Sequence, residues 1–181
     1  MEQKLIDLLF EYKSSFLTDK EPPGAMIGNE VDILLNVEKL YPPFLRRPAY
    51  SASPIARGAL EVHIEELMDL RLLNKIVHNE QVGVTTCVII TWNNGKSRMV
   101  GDFRASNTYT IPYRHPIPRI HEKLTQSSQA KLITAMDALN WFHQNVSTDN
   151  SRKLLMIILH FTLDEYLRMP FGIKMHLPII K

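Results

Sequence analysis

The feature that most constrains the fold is an Asn-Gly pair, Asn94-Gly95, between two strand-like runs. The runs are Thr85 to Thr91 (TTCVIIT) and Arg98 to Phe103 (RMVGDF). Both residues of the pair tolerate positive φ, which a tight hairpin turn requires. The pattern therefore predicts a β-hairpin that carries basic side chains, Lys96 and Arg98, close to its turn.

A helix is predicted before this hairpin. Ser53 offers a hydroxyl as N-cap, and Pro54 is tolerated in the first turn. We expect the helix to continue to about Asn74, with His63 at the surface rather than in a metal site. Its expected apolar face consists of Ile55, Ala59, Val62, Leu67, Leu70 and Leu73.

Downstream, an apolar run predicts a short buried strand from Leu132 to Met136, which includes Ile133. Asp137 follows at its C-terminal end. A carboxylate beside apolar residues requires hydrogen bonds, a basic partner or a bound cation, although an Asp that caps the next turn is an alternative interpretation. Leu154 to His160 is predicted to form a buried strand, and Glu165 to Arg168 an edge strand.

The N-terminal part, residues 1–50, combines a helix with a proline-rich leader. Glu2 to Phe16 has the spacing of an amphipathic helix that can dock on the core or on a partner. Proline and glycine interrupt Thr18 to Pro54, which predicts an extended leader around the domain, with a short regular run at Val31 to Leu35. Its basic pair, Arg46-Arg47, is either a phosphate contact or simply solvated.

Composition indicates a globular protein without a membrane segment. The 181 residues are 45% hydrophobic and 22% charged, enough for one domain or slightly more. The charged N-terminus argues against secretion, so we expect an intracellular protein. Residues 1–40 hold four lysines against eight acids, whereas Lys96 to Lys131 is basic. This stretch is either a solvated surface or a nucleic-acid interface.

Four sequence motifs follow one another along the chain in this order: RMVGDFRASN, IPYRHPIPRI, ITAMDALNWFHQN and YLRMPFGIK. Together they resemble the reverse transcriptase of gypsy-type LTR retrotransposons over roughly residues 40 to 174. The resemblance implies an α+β chain with a partial right-hand polymerase fold. The fingers would comprise about residues 51–111 and 145–174, and the start of the palm about residues 112–144.

The resemblance also assigns chemistry to individual residues. Asp137 matches the first catalytic, metal-binding Asp of the family, with the Ala138 carbonyl as a further ligand and Mg²⁺ as the expected ion. Arg98 matches the arginine that grips the incoming deoxynucleoside triphosphate, and Phe142 the aromatic gate beneath its sugar. Phe171 and Gly172 match positions that line the nucleotide pocket.

A second set is implied to contact nucleic acid. Asp102, Arg104 and Asn107 match the strip that supports the template, and Lys96 is a substitute for a fingers lysine. The expected partners are an RNA or DNA primer-template, deoxynucleoside triphosphates and the remaining polyprotein domains, with no membrane.

The sequence also departs from the family pattern. No Asp-Asp pair occurs in the chain, so the Tyr-x-Asp-Asp motif with the other catalytic carboxylates is missing. Trp141 replaces a glycine beside the gate, and residues 175–181 read as a frameshifted tail. We therefore expect a truncated, inactive reverse transcriptase domain. The alternatives are a non-catalytic nucleic-acid-binding or adaptor remnant, and a pseudogene product without a selected role.

Overall fold

The computed structural model describes residues 2–12, 22–25, 30–36, 45, 47–76, 85–112, 119–128, 130–131, 133 and 138–174. The helices are α1 (Glu2–Glu11), α2 (Pro54–Asp69), α3 (Arg104–Tyr109), α4 (Ile120–Ser127) and α5 (Asp149–Arg152), with a 3-10 helix at Trp141–Gln144. The strands are β1 (Glu30–Val31), β2 (Leu73–Lys75), β3 (Thr85–Asn93), β4 (Lys96–Gly101), β5 (Val146–Ser147), β6 (Met156–Ile158) and β7 (Leu163–Tyr166). The predicted α+β class is confirmed.

Five strands form the main sheet in the order β2-β7-β6-β3-β4. The β3 and β6 strands are parallel, and the other neighbours are antiparallel. The predicted hairpin is confirmed: Asn93 pairs with Lys96, and Asn94 and Gly95 form the turn with φ of 49° and 77°. Both strands extend further toward the turn than the sequence predicted.

Helix α2 begins as predicted but ends earlier. The Ser53 Oγ accepts a hydrogen bond from the Ala56 N–H at 3.3 Å, which confirms the N-cap. The helix stops at Asp69 rather than near Asn74, because Arg71 adopts a left-handed conformation with φ of 55°. The chain then enters β2, whose pairing with β7 outweighs continuation of the helix.

Three other sequence predictions were wrong in whole or in part. Of the predicted apolar face of α2, Leu67 packs against the core and Leu73 is buried. Ile55 is instead 75% exposed, and the buried residues of the helix are Leu60 and Ile64, because the packed face is rotated relative to the predicted one. The strand predicted at an edge is internal, since β7 lies between β2 and β6. Ile133 is 77% exposed and lies outside any strand. Leu132 and residues 134–137, the rest of that predicted strand with Asp137, lie outside the described residues.

Part of the leader belongs to the hydrophobic core. Val31 and Ile33 are buried in the same cluster as residues of the main sheet. Strand β1 pairs with β5 in parallel, and the Ile33 N–H donates to Ser151 Oγ at 2.7 Å. Arg168 Nη1 donates to the carbonyl oxygens of Pro23 at 3.0 Å and Gly24 at 2.9 Å. These contacts fix two separate segments of the leader to the domain.

One acidic side chain lies inside the main sheet. Asp164 is fully buried on β7, and its Oδ1 accepts a hydrogen bond from the Thr162 hydroxyl at 2.8 Å. Its Oδ2 has no hydrogen-bond partner among the described residues. Burial raises the pKa of Asp164 above its ordinary value, against the opposing effects of the Thr162 bond and of Lys75. None of the helices in the described ranges is long and apolar enough to cross a membrane.

Candidate functional site

Two of the sequence motifs meet at the side chain of Asn107. Its Nδ2 donates to the Gly172 carbonyl at 2.8 Å, and its Oδ1 accepts from the Lys174 N–H at 2.6 Å. Gly172 has a φ of 92°, a conformation that a side chain would strain. Both ends of the Asn107 amide therefore hold the backbone of the turn that follows Phe171.

The ring of Phe103 explains why glycine precedes Asp102. Phe103 is 2% exposed, and a Cβ added at Gly101 would lie only 2.5 Å from its ring. The same ring lies 3.7 Å from the position of a Cβ at Gly172. Gly101 thus lets β4 approach the aromatic side chain against which the turn at Gly172 packs.

An aromatic cluster forms beside this turn. The rings of Phe142 and Phe171 meet edge to face with centroids 5.1 Å apart, and the His143 ring lies 4.8 Å from that of Phe171. Phe171 nevertheless remains 51% exposed. The structure therefore brings together three residues predicted for the nucleotide pocket, because Gly172 follows Phe171 directly.

His143 was missed by the sequence reasoning, because its contact with Phe171 arises only from the tertiary fold. It is buried, and its Nδ1 lies 3.1 Å from the Met169 carbonyl oxygen. Burial lowers the pKa of His143, the hydrogen bond with Met169 opposes this change, and Arg168 adds to the lowering. A neutral ring therefore supports the exposed Phe171.

Arg98 borders a cleft of about 690 Å³. The cleft lies between α2, β4, the 3-10 helix and Phe171, and its wall contains His63, which was predicted to be at the surface. His63 Nε2 lies 2.9 Å from Ser97 Oγ, and its Nδ1 lies 3.3 Å from a Glu66 carboxylate oxygen. The contact with Ser97 ties α2 to the strand residue that precedes Arg98, and the contact with Glu66, on the same helix, orients the His63 ring.

Asp102 binds two arginines that lie far apart in the sequence, Arg47 and Arg104. Its carboxylate accepts bonds from Arg104 Nε at 2.7 Å and Nη2 at 2.9 Å, and from Arg47 Nη1 at 3.0 Å. The Tyr50 hydroxyl donates to the same group at 2.8 Å. The Asp102 side chain is 6% exposed, whereas that of Arg104 is 84% exposed.

The charges within this cluster stabilise one another. Hydrogen bonds from Arg104 hold the pKa of Asp102 well below its usual range, and the Tyr50 hydroxyl contributes to the lowering, although burial opposes it. The same pairing raises the pKa of Arg104. With two guanidinium groups on one carboxylate, the cluster keeps a net positive charge beside solvent.

The remaining predicted site residues are more dispersed. Lys96 and Arg98 are exposed on β4 near the hairpin turn, and Ala138 is exposed before the 3-10 helix. Asp137 lies outside the described residues, so the predicted metal site remains a prediction. Within the described ranges, no three His, Cys, Asp or Glu side chains come close enough together to hold a metal ion.

The arrangement suits a ligand that carries phosphate and an aromatic or sugar surface. Arg98 and the Asp102 cluster present cations, and planar guanidinium groups match phosphate oxygens in geometry. Phe171 presents an exposed ring supported by Phe142 and His143. Among the described residues, these cationic and aromatic side chains lie on the hairpin, on α3 and on the turn held by Asn107.

No protein-family model matches the chain. Curated relatives in Drosophila melanogaster are similar to it: the Retrovirus-related Pol polyprotein from transposon opus is 28% identical over 96% of this chain and 17% of the relative. The polyprotein from transposon gypsy is 32% identical over 46% of this chain and 8% of the relative. The chain thus spans about a sixth or less of the length of these relatives.

Solved structures show the same fold. A foamy viral protease-reverse transcriptase in complex with RNA/DNA hybrid aligns with a TM-score of 0.69 and 18% identity, covering 94% of this chain and 22% of that chain. A foamy viral protease-reverse transcriptase in complex with double-stranded DNA aligns with a TM-score of 0.67 and 20% identity, covering 94% of this chain and 28% of that chain.

Proposed function

Since the chain is homologous to gypsy-type retrotransposon Pol polyproteins and folds as part of a reverse transcriptase, we propose that it forms the nucleotide- and template-facing side of an RNA-directed DNA polymerase. The resemblance drawn from the four motifs is confirmed by these relatives. The single observation that carries the proposal for the site is the edge-to-face contact of Phe142 and Phe171, 5.1 Å apart, because it joins two of the motifs.

We assign the incoming nucleotide to the surface between Arg98 and Phe171. The guanidinium of Arg98 would bind the triphosphate, since a planar cation can donate two parallel hydrogen bonds to phosphate oxygens. Phe142 would lie beneath the sugar, where its bulk disfavours a 2′-hydroxyl group. Phe171 and the turn at Gly172 would border the same pocket, which fits the 51% exposure of Phe171.

The template strand is assigned to the basic surface that begins at Lys96. Arg104 would contact phosphate, and Asp102 would orient it through their two hydrogen bonds. Asn107 would act indirectly, because both ends of its amide bind the backbone of the turn at Gly172. The complexes of the related structures with RNA/DNA hybrid and with double-stranded DNA support nucleic acid as a partner.

The metal belongs to the complete polymerase site. In that site Asp137 and the Ala138 carbonyl would hold Mg²⁺, which supplies charge neutralisation for phosphoryl transfer when it is bound. The chain contains no Asp-Asp pair to supply further catalytic carboxylates. We therefore propose that this chain alone binds nucleic acid without extending a primer. The same behaviour is expected if the chain is a non-catalytic nucleic-acid-binding remnant.

Two measurements test the proposal. Primer extension with Mg²⁺ or Mn²⁺ should not exceed that of an Asp137→Ala variant, because one carboxylate cannot hold two metal ions. Fluorescence anisotropy of a labelled single-stranded oligonucleotide should show binding that weakens steeply with salt. Arg98→Ala and Arg104→Ala should weaken binding to unrelated sequences alike, whereas Lys153→Ala, an exposed change of equal charge, serves as the control. Retention that does not depend on salt would contradict the proposed phosphate contacts.

A further inference from the structure

We propose that Arg47, in the leader, is a second nucleic-acid phosphate contact that acts together with Arg104 on the shared carboxylate of Asp102. This inference rests on the proposed function and extends its template-facing surface beyond the four sequence motifs. The leader would then contribute to nucleic-acid binding in addition to packing on the core.

The geometry of the cluster places two cationic side chains side by side. Arg47 Nη1 and Arg104 Nη2 both donate to Oδ2 of Asp102, at 3.0 Å and 2.9 Å. Two guanidinium groups are thereby held next to one carboxylate oxygen atom, between the end of β4 and the start of α3. Phosphate groups along a nucleic-acid strand can be met by such paired cations, because planar guanidinium groups match phosphate geometry.

The cluster contains more positive than negative groups. Its two guanidinium groups and one carboxylate, all ionised, sum to a charge of about +1. The Asp102 side chain is 6% exposed, whereas the Arg47 and Arg104 side chains are 35% and 84% exposed. The negative charge is therefore covered, and the positive charge faces the solvent.

The guanidinium groups of the cluster are ordered before a ligand binds. A free arginine side chain loses rotamer freedom when it is fixed. Here Asp102 already restrains Arg104 by a bidentate contact, and the Tyr50 ring lies 5.5 Å from the Arg47 guanidinium carbon. A phosphate would therefore bind guanidinium groups that folding has already ordered, so that binding costs less side-chain entropy.

A purely structural role is the competing explanation, because the Arg47–Asp102 bond also attaches the leader to the domain. The two roles differ in what a lysine can replace. Lysine keeps the positive charge that a phosphate needs but lacks the planar fork of arginine. Substitutions at Arg47 can therefore separate charge from geometry.

The test is a salt titration of the full chain with a fluorescein-labelled oligothymidylate, using monodisperse protein and thermal melting for each variant. Loss of one phosphate contact on a single strand should reduce the magnitude of the log-log salt slope by about 0.7, which is about fivefold in affinity at 0.1 M salt. We expect this loss for Arg47→Ala and for Arg104→Ala, and retention of most of the slope for Arg47→Lys. Arg57→Ala, an exposed change of the same charge on α2, is the matched control.

Each outcome has a definite meaning. If the unsubstituted chain shows no salt-dependent binding, the proposed function itself fails. If Arg104→Ala reduces the slope but Arg47→Ala matches Arg57→Ala, only the inference about Arg47 fails. If Arg47→Lys melts at a lower temperature and loses the slope as completely as Arg47→Ala, the residue is a structural attachment and the inference is again overturned.

Discussion

Asn107 offers a sharp test of how the site is held together. Asn107→Ala removes both hydrogen bonds to the turn, those with the Gly172 carbonyl and the Lys174 N–H. A hydrogen bond contributes about 0.5–1.5 kcal/mol net, and water can reach this half-exposed position, so we expect the turn to lose about 1–2 kcal/mol of local stability. The change should be local, because Asn107 lies outside the hydrophobic core cluster.

Hydrogen exchange with peptide resolution measures this effect directly. A loss of about 1–2 kcal/mol corresponds to exchange that is about 5–30 times faster in the amides after Phe171, provided that they exchange by local opening. Peptides from β6 should be unaffected. Asn107→Asp separates the two bonds, since a carboxylate still accepts from Lys174 but can no longer donate to Gly172.

Thr108→Ala is the matched control, because it removes a neighbouring hydrogen bond, from the Thr108 hydroxyl to the Arg104 carbonyl, on the exposed face of α3. It should leave exchange after Phe171 unchanged. Equal exchange in the unsubstituted chain and in Asn107→Ala would refute the reasoning that this amide holds the turn. A uniform acceleration throughout the sheet would also refute it, since it would show that Asn107 supports the whole domain.

The remaining predictions concern buried charge and the hairpin. Asp164→Asn should stabilise the chain by about 1–3 kcal/mol at pH 7. Because the pKa of Asp164 is raised in the folded state, the destabilisation caused by this buried carboxyl group grows as pH rises above about 4. Urea unfolding should therefore show a larger gain in stability from Asp164→Asn at pH 7 than at pH 4. The pKa of Asp102 is well below its ordinary value, so its contribution to stability is fully present above about pH 4 and is lost progressively as pH falls through 3 and below; Asp102→Asn should flatten this acid limb in thermal melts. Ser97→Ala should speed amide exchange near the hairpin turn, because it removes the hydrogen bond with His63, and Ser97→Thr should restore protection. Unchanged exchange in Ser97→Ala would show that this bond does not stabilise the turn.

Local chemistry was sufficient to predict the hairpin and the start of α2. Asn94 and Gly95 determine the turn by their tolerance of positive φ, and Ser53 determines the cap through its hydroxyl. The end of α2 depended instead on a tertiary event. Leu73 joins β7, a strand far along the chain, and no local signal in the sequence specifies that pairing.

In the candidate site, too, the sequence predicted some of the contacts but not those that depend on tertiary packing. The motifs predicted Phe142 and Phe171 as neighbours of one pocket, and the structure places their rings in contact. The contact of His143 with Phe171 was not predicted, because the two motifs that contain these residues do not specify how their side chains pack. The bond from Arg47 to Asp102 was not predicted, because Arg47 lies in the leader, outside the four motifs. The template role of Asn107 stays a prediction, and the structure adds a contact that the motifs did not predict, from its amide to the turn at Gly172.

The packing around the hairpin, α3 and α4 indicates which of their cationic side chains can contact phosphate in a fixed geometry. Strand β4 and helix α3 adjoin Phe103, which is 2% exposed and belongs to the main core together with Leu155 and Ile157. Helix α4 has no buried residue, and its apolar side chains Ile120 and Leu124 are 75% and 61% exposed. Cations held by the core lose little further freedom on binding, whereas those on α4 must be ordered by the ligand. Phosphate binding should therefore depend more on the hairpin and the Asp102 cluster than on α4, where Glu122 also balances the charge of Lys123.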